Sequence, residues 1–552
     1  MRRAPAFPAT PFVMLVLALL AACEGNTPRD AAPASPVALF ENFGELHRDI
    51  GTRVPAAQRY FDQGLRMTYG FNHEAAGRAF AEAARLDPSC AICVWGQALV
   101  LGPNINLPMP AEAAAPAATL ARRALELAAN AQPRDRALIE ALQLRYADPA
   151  PSDRMPLDQA YATAMADVVR RFPDDDDAAT LYAEALMDLS PWAYWTRDGA
   201  PTGHTSEITA TLERVLARNP AHIGAVHYYI HAVEASKTPQ RAERPADQLA
   251  SLAPGSGHLV HMPAHIYIRT GRYHDATLSN FAATTADKAF LSVCSGSNGP
   301  YPLGYVPHNW HFATMTAGLH GSRTLALQAA AQTAQRADHG RLEELEFMQQ
   351  FVVMPLFTQV RFGQWDAILA QAQPPAALPY PTAIWHFARG MAHVRKDELA
   401  AAASELQALQ AVARQPMEKP KPGNNAAGRL LPVAEALLRG ELALRRGDTR
   451  QGVTALREAA AAEDRLDYNE PADWPLPVRP YLGAALLQAG HAREAAQAYA
   501  QDLETYPDNG WSLFGLAQAQ RATGETAAAA DSERRYRAAW QWADTPLTAS
   551  RF

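Results

Sequence analysis

Seven histidines fall in three short stretches of this chain, at the spacing of metal ligands on helices. His227 and His231 recur 34 residues later as His261 and His265, and Pro220 and Pro254, which close the two units, are also 34 apart. His258 precedes the second pair, and His308 and His311 follow one unit further on. Residues four apart on a helix share a face, with β-carbons about 5–6 Å apart, and packed helices run with axes about 8–10 Å apart. Imidazoles from neighbouring helices can therefore meet at one ion. A first-row metal asks for three or four nitrogen or oxygen donors at about 2.0–2.2 Å, and paired helical histidines are one way to supply them. Glu184, Asp188 and Glu234 add carboxylates, enough with the histidines for one ion with outer support or for two ions.

An all-imidazole set suits copper or zinc, whereas Glu184, Asp188 and Glu234 as ligands would move the balance toward zinc, iron or manganese. Two three-histidine sets would match type 3 dicopper proteins in ligand count only. A catalytic metal here would activate water or dioxygen or polarise a carbonyl, with Glu234 or Asp188 as base. Tyr228, Tyr229 and Tyr267 lie beside the histidines, and packing between repeats is the expectation for them. Two readings compete with a metal: a groove that binds peptide by hydrogen bonding and stacking, and structural imidazoles. Histidine on one face of successive units favours the metal. The c-type haem signature C-x-x-C-H is missing because Val94 follows Cys93, and no nucleotide-binding motif is found.

The elements that must position these residues are short helices. Hydrophobic residues make up 48% and aromatics only 8% of an Ala-rich chain, and 42 prolines act as punctuation. A unit starting at Ala57 carries Gly64, Ala76, Phe80, Ala83 and Pro88; one starting at Leu476 carries Gly483, Ala495, Tyr499 and Pro507, and Trp511, Phe514, Gly515 and Ala527 follow. These are the small, large and helix-stopping residues of a 34-residue helix-turn-helix unit, and the chain resembles tetratricopeptide repeat (TPR) proteins. The strings HYYIHAVEAS, HMPAHIYIRTGRYHDA and PHNWHF resemble those of a group of bacterial TPR lipoproteins. The resemblance implies an all-α TPR-type α-solenoid and no particular reaction. It also implies that helix A positions 2, 5, 9, 12 and 13 line a concave wall, which would place all seven histidines, Glu184, Asp188 and Glu234 there. The expected organisation is a repeat array from 43 to 355 that contains the histidines and a second from 356 to 552, with degenerate units near 100–175 and 340–470.

The amino terminus reads as an export signal. Arg2 and Arg3 precede an apolar run from Phe12 to Leu20, which ends in Leu20-Ala21-Ala22-Cys23. That box resembles the one of bacterial lipoproteins, which implies a signal peptide at 1–22, a lipid on Cys23 and an anchor in the cell envelope facing the periplasm. Glu24 in place of aspartate points to the outer membrane. Residues 23–42 read as a flexible tether rich in Pro, Ala and polar residues. An oxidising compartment allows a structural disulfide between Cys90 and Cys93, and leaves Cys294 over. A net charge of −7 and a pI near 6.2 create no field that would draw nucleic acid. The alternative to a metalloprotein is an adaptor that takes a peptide or protein partner in the envelope. Four loops stand out. GFNHEA (Gly70 to Ala75) and LGPNIN (Leu101 to Asn106) read as turns, PWAYW (Pro191 to Trp195) as an aromatic pocket wall, and Tyr468 to Pro480 as a rigid connector with a lid as the alternative.

Overall fold

Small residues opposite rings set the spacing of the helices. A β-carbon at Gly64 or Gly96 would sit 2.7 or 2.5 Å from the Phe80 ring, and one at Gly483 or Gly515 would sit 2.4 or 2.1 Å from Tyr499. Each ring therefore fills the gap between its own repeat and the next, the packing that defines a TPR unit. The computed structural model describes residues 37–552 except 295–298, 418 and 420. Over these the chain is an all-α solenoid of helix-turn-helix repeats, from Pro55–Tyr69 to Thr526–Ala539. Among the described residues the only extended pairings are isolated bridges at Asn104 with Leu107 and Trp195 with Pro201. None of the described helices is long and apolar enough to cross a membrane.

Residues Ala38–Phe552 form one unit. Its largest apolar core runs from Phe43 to Leu319 and a second from Ala330 to Ala519; the boundary expected near 355 falls within the second. The expected signal segment 1–22, Cys23 and the tether up to residue 36 lie outside the described residues. The far end of that tether is docked rather than loose. Phe40 packs its ring on Phe43 and Phe290, and its N–H donates to Gln63 Oε1 at 2.7 Å.

Three histidine-bearing segments lie side by side. The first is the helix Ile223–Val233, whose first turn is capped by the His222 ring accepting from the Ala225 N–H at 3.1 Å. The second runs as Gly257–His261, breaks at Met262, and resumes as Pro263–Arg269. Pro263 has no N–H to give the Leu259 carbonyl, and beside this break Ser279 Oγ donates to the Val260 carbonyl at 2.6 Å. The third, Val306–Leu319, follows a π-helical turn at Tyr301–Tyr305. Between second and third runs the helix Tyr273–Val293, whose Asp287 ties both together. Its carboxylate accepts from the Tyr301 hydroxyl at 2.8 Å and from Asn309 Nδ2 at 2.8 Å, while the Tyr301 oxygen accepts from the His258 N–H at 3.1 Å.

The far repeats fold back onto this region. The Trp511 indole N–H donates to the Gly318 carbonyl at 2.9 Å, and the Tyr273 hydroxyl donates to the Pro507 carbonyl at 2.7 Å. A β-carbon at Gly321, where φ is +77°, would meet the Trp540 ring at 2.3 Å. Arg197 donates to the Leu466 carbonyl at 2.8 Å, which holds the connector after residue 464 against the loop between the helices Asp176–Met187 and Thr205–Arg218.

Candidate metal centre

Six of the seven histidines converge, as two trios. His227, His231 and His258 form one, and His261, His265 and His308 the other; within each, the nearest nitrogens lie within 4.8 Å of one another. Each trio takes an i, i+4 pair and a third ring from a neighbouring segment. In the first, His258 Nε2 is 3.1 Å from His227 Nε2. In the second, His261 Nε2 is 2.9 Å from His265 Nε2 and 3.2 Å from His308 Nε2. Ligands on a tetrahedral ion with bonds of about 2.0–2.1 Å stand about 3.3 Å apart, close to these separations.

The outer nitrogens fix the tautomers. His227 Nδ1 lies 2.6 Å from the Tyr69 carbonyl oxygen, which can only accept. His261 Nδ1 is 2.7 Å from Asn280 Oδ1, and that amide is oriented by its own Nδ2 donating to the Ala276 carbonyl at 2.7 Å. Glu234 divides its carboxylate: Oε1 accepts from His231 Nδ1 at 2.7 Å and Oε2 from His265 Nδ1 at 2.6 Å. In these four rings the proton therefore sits on Nδ1 and the lone pair on Nε2 points into the site. One carboxylate thus orients a ring in each trio. His231, Glu234 and His265 also cluster as a set of their own, but the two oxygens stand at hydrogen-bond length from separate rings, which makes Glu234 an outer bridge.

Burial makes these rings poor bases and good ligands. His227, His231, His258, His261 and His265 are 0–2% exposed. Burial, reinforced by neighbouring imidazoles, holds His227, His258, His261 and His308 well below the ordinary histidine pKa, so they are neutral near pH 7. Burial alone would raise Glu234, but His265 and His231 hold it at about 2, fully ionised. Aromatic rings close the space. Phe71 stands 4.5 Å from His227, Trp192 5.5 Å from His231 and Phe312 4.9 Å from His265, centroid to centroid. Phe71 and Trp192 hold left-handed backbones, at φ of 54° and 64°, a strained state for aromatic residues that tends to mark functional sites.

The expected lining is corrected at several positions. The histidines are buried or half-buried rather than open to solvent. His311 points away, onto the Phe351 ring at 5.8 Å, and joins neither trio. Asp188 joins neither trio: its Oδ2 accepts from Arg145 Nη2 at 2.7 Å, in a network that also draws on Glu184. Burial raises both carboxyls, and Tyr228 faces Glu184. The Tyr229 and Tyr267 hydroxyls donate to Glu213 and Asp247, each at 2.7 Å, and serve packing. The connector reaches Glu234. Its Tyr468 hydroxyl lies 3.3 Å from Glu234 Oε2 and 3.1 Å from Glu470 Oε1, beneath the Arg269 guanidinium. Burial lifts Glu470 to about 7. Asn106 of the LGPNIN loop donates to the Tyr305 hydroxyl at 3.4 Å, and Tyr305 stands 4.8 Å from His258. Cys90 and Cys93 are joined in a disulfide, and Cys294 is free and half-buried.

Tyr69, Asn280, Phe71, Phe312 and Asp287 were not singled out by sequence reasoning. Only Phe71 and Phe312 carried a signal, since GFNHEA and PHNWHF contain them.

No protein-family model matches the chain, and no curated protein matches it in sequence. Solved helical-repeat structures resemble it distantly. Yeast Tom70 is 11% identical over 88% of this chain and 97% of its own, with a TM-score of 0.34. A human IFIT1 dimer with m7Gppp-AAAA is 12% identical over 89% and 91%, with a TM-score of 0.32. The Cut9-Hcn1 complex of the APC/C is 12% identical over 88% and 74%, with a TM-score of 0.30.

Proposed function

We propose that this chain is a lipid-anchored envelope metalloprotein whose buried histidines hold two transition-metal ions, copper or zinc, one on each trio. The observation that carries the reading is the His261–His265 pair. Both rings spend their Nδ1 protons on acceptors, so two Nε2 lone pairs face each other across 2.9 Å. Either an extra proton or a cation must stand between them. A proton satisfies two nitrogens and leaves His308 Nε2 aimed at the same point; a cation satisfies all three. The first trio repeats the arrangement, with His231 Nε2 buried and lacking a hydrogen-bond partner.

A peptide-binding groove is poorly served by these histidines, because a peptide reaches exposed side chains. A protein partner, which repeat solenoids commonly take, would dock elsewhere on the array. The anchor and the envelope location are read from Arg2 and Arg3, the apolar run from Phe12 to Leu20 and the Leu20 to Cys23 box.

Metal analysis of protein purified without chelator tests the reading. Two equivalents are expected in the wild type and one each in His231→Ala and His261→Ala. Wild-type protein that takes up neither copper nor zinc when both are supplied would overturn it.

A further inference from the structure

We propose that the two ions are copper and that dioxygen binds between them. This rests on the two-metal reading and adds which metal and which small molecule. The donor set argues for copper. Each trio offers three imidazoles, while Glu234 accepts from His231 and His265 and one oxygen of Asp188 accepts from Arg145. Hard ions prefer oxygen ligands, whereas unmixed imidazole suits copper in either oxidation state, with zinc as its rival.

The pairing of the trios argues for a two-electron ligand. They are equivalent in ligand type, each an i, i+4 pair plus one more ring, and they share Glu234. Across the divide, the His231 and His265 ring centroids are 5.1 Å apart, and those of His258 and His261 5.7 Å. Two equal three-coordinate ions side by side leave open positions toward each other, where a small bridging molecule fits.

The walls argue for its size and polarity. Phe71 packs against the first trio and Phe312 against all three rings of the second, at 4.9 to 5.8 Å. Five of the six imidazoles are almost fully covered, and half-buried His308 is the most open point. A diatomic gas passes such a boundary; a sugar, peptide or nucleotide does not.

The binding step balances without another reactant. Each Cu(I) gives up one electron, dioxygen takes both, and the O–O bond falls from double to single. The peroxide so formed bridges two Cu(II) ions. No proton is required, and loss of dioxygen reverses the step.

The test uses the mature chain, freed of metal and reloaded anaerobically with Cu(I). Two coppers per chain are expected, followed on admission of oxygen by uptake of one dioxygen per copper pair. An intense near-ultraviolet charge-transfer band should appear with no Cu(II) EPR signal, because the two spins couple. His308→Ala, which opens the second trio, should lose one copper and all oxygen uptake while the first trio stays loaded. Two bound coppers with no uptake, or with a full uncoupled EPR signal, would overturn the dioxygen inference and leave the two-metal reading standing. Two bound zinc ions with no retention of Cu(I) would also overturn it. Failure to hold either metal would overturn both.

Discussion

Replacing Glu234 by glutamine should break the symmetry of the centre. The carboxylate accepts one Nδ1 proton from each trio, at 2.7 and 2.6 Å. Glutamine keeps one acceptor oxygen and puts an NH₂ donor where the other stood. The ring facing that donor cannot keep its proton on Nδ1. It must switch tautomer, which places the proton on Nε2 and removes the lone pair that would bind the ion. One trio should therefore lose a ligand while the other loses only the charge of its support. Loss of an outer partner costs about 10–100-fold in metal affinity, or about 1.4–2.7 kcal/mol, and the trio that loses a ligand should fall beyond that range. Competition titrations with a chromogenic chelator, in Zn(II) and in anaerobic Cu(I), resolve the two affinities. The expected result is two unequal sites where the wild type has two similar ones. Equal and unchanged affinities in Glu234→Gln, in protein with a wild-type melting curve, would refute the assignment of tautomers.

Tyr468→Phe removes the hydroxyl next to Glu234 and Glu470, worth about 0.5–1.5 kcal/mol, and should speed metal release to a chelator about 2- to 10-fold. Gly257→Ala places a β-carbon 1.9 Å from Asp287 Oδ1; overpacking of about 1–3 kcal/mol should appear as a lower melting temperature, with weaker metal retention at the His258 trio. Burial and neighbouring His274 lower His320 to about 4, so the unfolded chain takes up a proton near 6.5 that the folded chain refuses. Stability from this group is present above that pH and is lost as pH falls toward 4. Between pH 7 and 5 the metal-free wild type should lose about 1–2 kcal/mol more than His320→Gln, measured by denaturant unfolding. Cys23→Ser should abolish incorporation of labelled fatty acid and shift the protein out of the membrane fraction.

The repeat architecture was legible because its determinants are local: Gly64 against Phe80 and Gly483 against Tyr499 are one hairpin apart. Four of the six clustered histidines were legible for the same reason, since the 34-residue echo of His227 and His231 in His261 and His265 places like residues on like faces. What could not be read was set by long-range contacts. Glu184 takes the same repeat position as His231 and His265, and Asp188 follows one turn on, yet Arg145, in the turn after the helix Pro133–Leu142, pairs with Asp188. His311 keeps the three-residue spacing from His308 but turns toward Phe351. Tyr468 reaches Glu234 across 234 residues, a closure that repeat register does not encode.

That distance in sequence also orders events in time. The six clustered histidines are complete once residue 308 has been made, but Tyr468 reaches Glu234 only after the connector, made 160 residues later, has docked. Long-range contacts of this kind form late in folding, because the loop entropy must be met first. The centre therefore has an interval in which its imidazoles are assembled and its roof is absent. On the two-metal reading, metal supplied in that interval would enter freely, and metal supplied afterwards would wait for the connector to lift. Folding would then set the window for loading, and a chain refolded without metal should take it up more slowly than one refolded in its presence.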